Sequence, residues 1–299
     1  MSTKRPFKSG YVAIIGKPNV GKSTILNYLV GEKVAVVTKK PETTRDKILG
    51  ILTREDAQIV LLDTPGIHKP RNLLGKNMTR LAKESLLEVD LVVFVLDLTS
   101  GITDEDKIIF NLLRDSKKPS ILLVNKIDLV SRSLALPLID EASKIYDFKE
   151  IIPTSATKGD NMDALLEKII EYLPEGPKYF SEEQLTDKSE RFMAGEIVRE
   201  KTLELTREEV PYSIAVSVEE FKERAKKKLI YIKATIFVEK NSQKKILIGH
   251  KGQMLKNIGE AARKDIEKFL GKHVYLDLWV KVYENWRKDP QALKVFGYV

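Results

Sequence analysis

Residues 14–24 read IIGKPNVGKST. Within them Gly16 to Ser23 fit G-x-x-x-x-G-K-[ST], placed between an apolar run and an amphipathic one. Gly16 and Gly21 lack β-carbons where a loop must turn its N–H groups inward, and the helix that follows adds the positive end of its dipole. The string predicts a phosphate cradle lined by Gly16, Lys17, Pro18, Asn19, Val20, Gly21, Lys22, Ser23 and Thr24. Lys22 is expected to reach the β- and γ-phosphates, and the Ser23 hydroxyl to ligate Mg²⁺. The string does not choose between ATP and GTP.

Outward from this loop, short apolar runs alternate with helical patterns from Tyr11 to about Leu173. The runs are YVAIIG, DKILGIL, AQIVLLDT, DLVVFVLDL, PSILLVNKID and EIIPTSA. Apolar strands separated by amphipathic helices predict an α/β domain over residues 1–173, with a mostly parallel six-stranded sheet covered on both faces. Only REDA separates the strands expected around Lys47–Thr53 and Gln58–Asp63, so one edge strand should run antiparallel. LPEGPKYF, with two prolines and a glycine, opens an expected linker over residues 174–188.

The base is chosen by Asn125-Lys126-Ile127-Asp128, directly after an apolar strand. A carboxylate at Asp128 can accept both N1–H and the exocyclic amine of guanine, a pair that adenine does not present. Asn125 can buttress the loop, and the Lys126 stem can lie along the ring. A buried site left with unpaired polar groups rejects the wrong base by a factor of roughly 10⁴. Ser155, Ala156, Thr157 and Lys158 add backbone N–H groups facing the guanine oxygen. Asp63-Thr64-Pro65-Gly66 ends a strand, with Asp63 positioned to hold Mg²⁺ and the Gly66 amide to sense the γ-phosphate. Thr44 is expected to complete the metal shell, with Thr43 as its rival. Lys22, Thr44 and Gly66 are thus the catalytic candidates, and loss of the γ-phosphate contacts on hydrolysis would release two loops.

In order and spacing these four strings resemble the translation-factor-related class of small GTPases. The resemblance implies GTP, GDP and Mg²⁺ as ligands. Where Ras-like members carry a glutamine after DxxG, this chain has Ile67. An apolar side chain cannot orient water, so slow intrinsic turnover is expected, about 10⁻⁴ to 10⁻² s⁻¹. His68 beside it reads as a loop residue before it reads as a base.

Beyond the linker the rhythm changes to α-β-β-α-α-β over residues 189–299, an α+β unit. The expected elements are a helix over 189–206, strands beginning at 211 and 229, helices over 244–248 and 254–270, and a strand from 273. Gly249-His250-Lys251-Gly252 lies between the last two helices, where glycines let a nucleic-acid backbone approach. Gln253 continues that turn; Ile246 and Ile248 either floor a base groove or belong to the core. Charge is uneven. Ser181–Glu220 holds 5 basic against 11 acidic residues, whereas Phe221–Lys288 holds 18 against 7. The basic run RAKKK, residues 224–228, reads as a solvated hairpin turn, and Trp286 and Tyr298 as tail packing. The element order and GXXG turn resemble the type II KH domain, which implies a grip on about four nucleotides of single strand.

Cysteine is absent, which excludes disulfides and thiolate chemistry, and the three histidines are scattered. The net charge is +8, and no stretch approaches a membrane span. A soluble cytoplasmic monomer is the expectation.

Taken together, the two segments resemble the Era family of bacterial GTPases. The resemblance implies binding to the single-stranded 3′ end of 16S rRNA, a role in 30S subunit assembly, and peripheral association with the inner face of the plasma membrane. A GTPase whose C-terminal unit docks a protein or membrane partner instead of RNA is the alternative.

Overall fold

The computed structural model describes residues 6–38, 40, 43–70, 72–207, 210–224 and 229–298. They divide into two compact units. The first comprises the chain up to Ala35, Thr44–Pro70 and Met78–Asp187; the second takes Val36–Thr43, Arg71–Asn77 and Lys188 onward.

In the first unit the strands are β1 (Lys8–Ile15), β2 (Ile48–Thr53), β3 (Ala57–Asp63), β4 (Leu91–Asp97), β5 (Ser120–Asn125) and β6 (Glu150–Pro153). They form one sheet in the order β2-β3-β1-β4-β5-β6. Every pairing is parallel except β2 with β3, so the REDA connection makes a hairpin and β2 is the antiparallel edge. The helices are α1 (Lys22–Val30), α2 (Leu73–Leu87) from Met78 onward, α3 (Asp104–Ser116), α4 (Ala135–Ile145) and α5 (Met162–Tyr172). Strands β3, β4 and β5 are buried along their whole length, as strands covered on two faces must be. Open parallel sheets place ligand loops at the carboxyl ends of their strands. Here Gly16, Asp63, Asn125 and Ser155 all follow or end such strands.

The second unit contains α6 (Glu190–Leu205), β7 (Ala215–Arg224), β8 (Leu229–Val238), α7 (Asn241–Ile248), α8 (Gln253–Leu270), β9 (His273–Val282) and α9 (Pro290–Val295). Ser189 caps α6 by accepting the Phe192 amide at 3.2 Å. The sheet order is β7-β8-β9, with β7–β8 antiparallel and β8–β9 parallel across the α7–α8 crossover. Ile230, Ile232, Ile236, Val274 and Val280 face a core shared with Ile197, Leu247, Ile258 and Ile266.

Three expectations need correction. Residues 174–187 are no free linker but part of the first unit. Gln58 accepts the amides of Tyr179 and Phe180, and the Leu185 carbonyl accepts the Ile51 amide at 2.8 Å. Helix α7 starts at Asn241, three residues early, because the Gln243 side chain accepts the Glu239 and Lys240 amides and so builds the first turn. Strand β7 begins at Ala215, since Ser213 closes a short helical turn on Val210. Of RAKKK, Arg224 ends β7, and Ala225–Lys228 lie outside the described residues.

Candidate functional site

The loop between β1 and α1 is shaped by contacts that leave no room for side chains. A β-carbon at Gly16 would stand 2.7 Å from the Val95 carbonyl, and one at Gly21, where φ is 108°, would stand 2.4 Å from Asn125 Nδ2. Asn125 is the tie. Its Nδ2 donates to the Val20 carbonyl at 2.8 Å, and its Oδ1 accepts the Ala156 amide at 3.1 Å. One buried side chain thereby fixes the phosphate loop and the Ser155–Lys158 turn together. Lys126 extends across the loop to donate to the Asn19 carbonyl at 2.8 Å and to Asp97 Oδ2 at 2.6 Å. Burial pushes the Asp97 carboxyl up, but the hydrogen bonds from Lys126 and Thr99 outweigh it and hold the group below the usual carboxylate range. Asp128 is exposed at the mouth, with the Thr157 hydroxyl 3.5 Å from it, and Thr157 and Lys158 are exposed beside it.

The metal donors converge. Asp63 Oδ2 accepts from Ser23 Oγ at 2.6 Å and from Thr44 Oγ1 at 3.1 Å, and the two hydroxyls lie 3.0 Å apart. Asp63 Oδ1 is buried with no hydrogen-bond partner. An orphaned carboxylate oxygen beside two converging hydroxyls is the all-oxygen set that Mg²⁺ prefers, so the residues present fit that ion. Thr43 turns elsewhere: its hydroxyl donates to the Lys40 carbonyl at 2.6 Å, and its own carbonyl accepts from Arg199.

Lys22 is buried and donates to the carbonyls of Lys17 at 2.9 Å and Gly16 at 3.1 Å. Burial pushes its ammonium down to about 8, against the opposing charge of Asp63. Burial likewise pushes the Asp63 carboxyl up, with Lys22, Ser23 and Thr44 pulling the other way. Each group is short of counter-charge. A phosphate against Lys22 and a divalent cation against Asp63 would supply both.

The Lys17 side chain takes no part in the cradle. Its ammonium is turned away from the loop's mouth to Asp106 Oδ2 at 2.8 Å, Ser100 Oγ at 2.8 Å and Thr103 Oγ1 at 3.2 Å. Only its backbone is left to line the cradle. Pro18 packs against Gly66, whose β-carbon, if added, would lie 2.7 Å from the Pro18 nitrogen. Thr24 sits in the first turn of α1. Ile67 is fully buried in the core, and its amide donates to the Gly16 carbonyl at 3.1 Å. His68 Nδ1 lies 3.2 Å from the Gly66 carbonyl. Asp97, Thr103 and Asp106 are supporting residues that sequence reasoning missed. The signal was present in T-x-x-D before an apolar run, a capping-box pattern at the start of α3.

In the second unit, the turn between α7 and α8 has positive φ at Gly249 (71°), Lys251 (51°) and Gly252 (82°). A β-carbon at Gly249 would lie 2.9 Å from the Met254 amide, so glycine is required there. His250, Lys251 and Gln253 are exposed, and Gln253 Nε2 donates to Asn257 at 2.8 Å. Ile246 is half exposed, whereas Ile248 packs on the core. Trp286 is buried and donates to the Ser213 carbonyl at 2.8 Å, and Tyr298 lies against its ring.

Known proteins match at both levels. The family profile described as "50S ribosome-binding GTPase" matches residues 11–126, and that of the KH domain matches 209–287. The GTPase Era of Ruminiclostridium cellulolyticum is 47% identical, over 98% of each chain. That of Syntrophus aciditrophicus is 49% identical, over 98% of this chain and 95% of its own. A tyrosine-to-alanine variant of Aquifex aeolicus Era bound to GDP and AlF₄⁻ superposes with a TM-score of 0.95 at 47% identity, over 98% of this chain and all of that one. An Era structure with MgGDPNP and nucleotides 1506–1542 of 16S ribosomal RNA gives the same TM-score and identity, over 98% and 99% of the two chains.

Proposed function

Because the chain belongs to the Era family of GTPases, we propose that it is a GTP-hydrolysing switch that binds the single-stranded 3′ end of 16S rRNA and assists assembly of the 30S subunit. The observation that carries this reading is the convergence of Ser23, Thr44 and Asp63 on one point beside Lys22. Three chain segments meet there, and a bound triphosphate would tie them together. Mg²⁺, when bound, neutralises charge on the β- and γ-oxygens.

The protein's own groups supply the remainder. Lys22 and the loop amides hold the phosphates, Asn125 fixes the two loops around the base, and the Gly66 amide stands where a γ-phosphate is felt. Asp128 accepts from the guanine edge. No side chain at 67 orients the attacking water, because Ile67 is enclosed in the core. Turnover is accordingly slow without a partner, about 10⁻⁴ to 10⁻² s⁻¹. Loss of the Thr44 contact with Asp63 after hydrolysis would release the loop that carries it. In the second unit Gly249–Gly252 clamp the RNA backbone while Lys251 faces its phosphates. We further propose a cytoplasmic monomer with peripheral association at the inner membrane; no helix among the described residues is long and apolar enough to cross it.

RNA affinity measured with GDP and with a non-hydrolysable GTP analogue tests the switch. Tighter binding with the analogue, lost in Gly249→Asp with Gly252→Asp, is expected. Log affinity should fall with log salt by about 0.7 per phosphate contacted. Equal affinities in both nucleotide states refute the coupling, and binding that survives both aspartates points to a protein or membrane partner instead.

A further inference from the structure

The face of the β7-β8-β9 sheet that points away from its core carries an aromatic platform. Alternation along the strands sends Ile230, Ile232, Val274 and Val280 into the core and Tyr231, Tyr275 and Trp279 to the opposite side. Tyr231 and Tyr275 are register partners and stack, with centroids 5.8 Å apart and planes 15° off parallel. The Arg224 guanidinium lies 4.4 Å over the Tyr231 ring. Tyr275 remains 60% exposed and Trp279 53% exposed, large values for rings of this size. They stand four positions apart along β9, about 13 Å.

Lysines and carboxylates are interleaved around these rings. Lys222 stands in the same cross-strand row as Tyr231 and Tyr275, and Lys233 and Lys281 lie on the same face. Each of these lysines is paired, Lys222 with Glu220 and both Lys233 and Lys281 with Glu219, so a phosphate would exchange for a carboxylate; Thr235 also donates to Glu219, and the Tyr231 hydroxyl to Asp277.

We propose that this face is a second RNA-binding surface, on which bases of a single strand stack on Tyr275 and Trp279 while the lysines follow its phosphates. The inference rests on the RNA reading above and extends it, because the GXXG turn belongs to the helical layer on the other side of the sheet. A clamp that grips about four nucleotides also leaves most of a longer strand uncovered. Exposed rings interleaved with lysine suit bases, whose faces stack without regard to sequence. The centre of a protein-docking patch is depleted in lysine, and Lys233 and Lys281 flank these rings.

The test uses the full chain with a non-hydrolysable GTP analogue and the RNA of nucleotides 1506–1542 as the probe, together with a short oligouridylate. Stacking predicts that Tyr275→Ala with Trp279→Ala weakens binding of the longer RNA at least roughly tenfold, whereas Tyr275→Phe with Trp279→Phe stays within about twofold of the parent. In Gly249→Asp with Gly252→Asp protein, oligouridylate should still quench tryptophan fluorescence. That quench should vanish in Trp279→Phe, since Trp286 is buried. Unchanged affinity in the alanine pair overturns the platform and assigns the face to a protein partner, while sensitivity of the clamp variant alone leaves the proposed function standing. If neither variant alters RNA binding, the RNA reading itself fails.

Discussion

Asp106→Ala should destabilise the first unit more than any other single polar substitution near the phosphate loop. Asp106 is fully buried, and its Oδ2 accepts from Lys17 Nζ at 2.8 Å, the Thr103 amide at 2.9 Å and the Thr103 hydroxyl at 2.6 Å. The Lys17 side chain is only 9% exposed, so removal of the carboxylate strands an ammonium without its counter-charge. Breaking a buried pair from one side costs about 3–5 kcal/mol, and loss of the α3 cap adds about 1 kcal/mol. At roughly 2–4 °C per kcal/mol for a unit of this size, the melting point falls by about 8–24 °C. Both tryptophans belong to the second unit, so a urea transition seen by far-UV circular dichroism and absent from tryptophan fluorescence identifies the first. The decisive comparison adds Lys17→Met. With the stranded charge gone, the double variant should recover all but about 1–2 kcal/mol, because a buried pair replaced by apolar groups is close to neutral. A loss under about 1 kcal/mol in Asp106→Ala, or a further loss when Lys17→Met is added, refutes the reasoning.

Gly66→Ala presses a methyl group onto the Pro18 nitrogen, and overpacking of about 1–3 kcal/mol should lower triphosphate affinity roughly tenfold in a fluorescent-nucleotide titration while leaving the unfolding of the second unit unchanged. Trp286→Ala removes a fully buried ring and its bond to the Ser213 carbonyl, so the second unit should lose about 3–5 kcal/mol, read by Trp279 fluorescence in urea. Hydrogen bonds from Thr235 and Lys233 hold the Glu219 carboxyl down to about 2. A carboxyl depressed on folding contributes stability that is complete above the unfolded value near 4.5 and is lost as pH falls from there toward 2. Stability of Glu219→Gln should therefore decline less steeply than that of the parent across that window in acid titrations of the melting point.

Much of the first unit can be read locally. The phosphate loop, the guanine string and the antiparallel hairpin are each written in consecutive residues, and each demands one backbone shape. Helix α2 is less legible because Gly75 and Asn77 interrupt its opening turns, while the residues that anchor it, Leu74, Met78, Ala82 and Leu86, are spaced at four and diluted by lysines. The role of Lys17 escaped for another reason. Its partner lies 89 residues away, and only the parallel sheet brings the end of β1 beside the start of α3. In the second unit the GXXG turn and the element order were legible, and the alternation of β8 and β9 was present in the sequence. Which face lay open was not, because apolar and aromatic residues alternate there and both look buried in one dimension.

The stretch after Leu173 has a consequence for how β2 survives in water. As the outer strand of the sheet, β2 would otherwise display unpaired amides along one side, a template for another chain. The Leu49 amide instead donates to Asp187 at 3.0 Å, the Ile51 amide to the Leu185 carbonyl, and Thr186 bridges Gly50. Three residues thus act as a selvedge, finishing the sheet where the weave would fray. A fragment cut at Leu173 would keep every nucleotide-binding residue and still tend to self-associate, whereas one extended through Asp187 should remain dispersed.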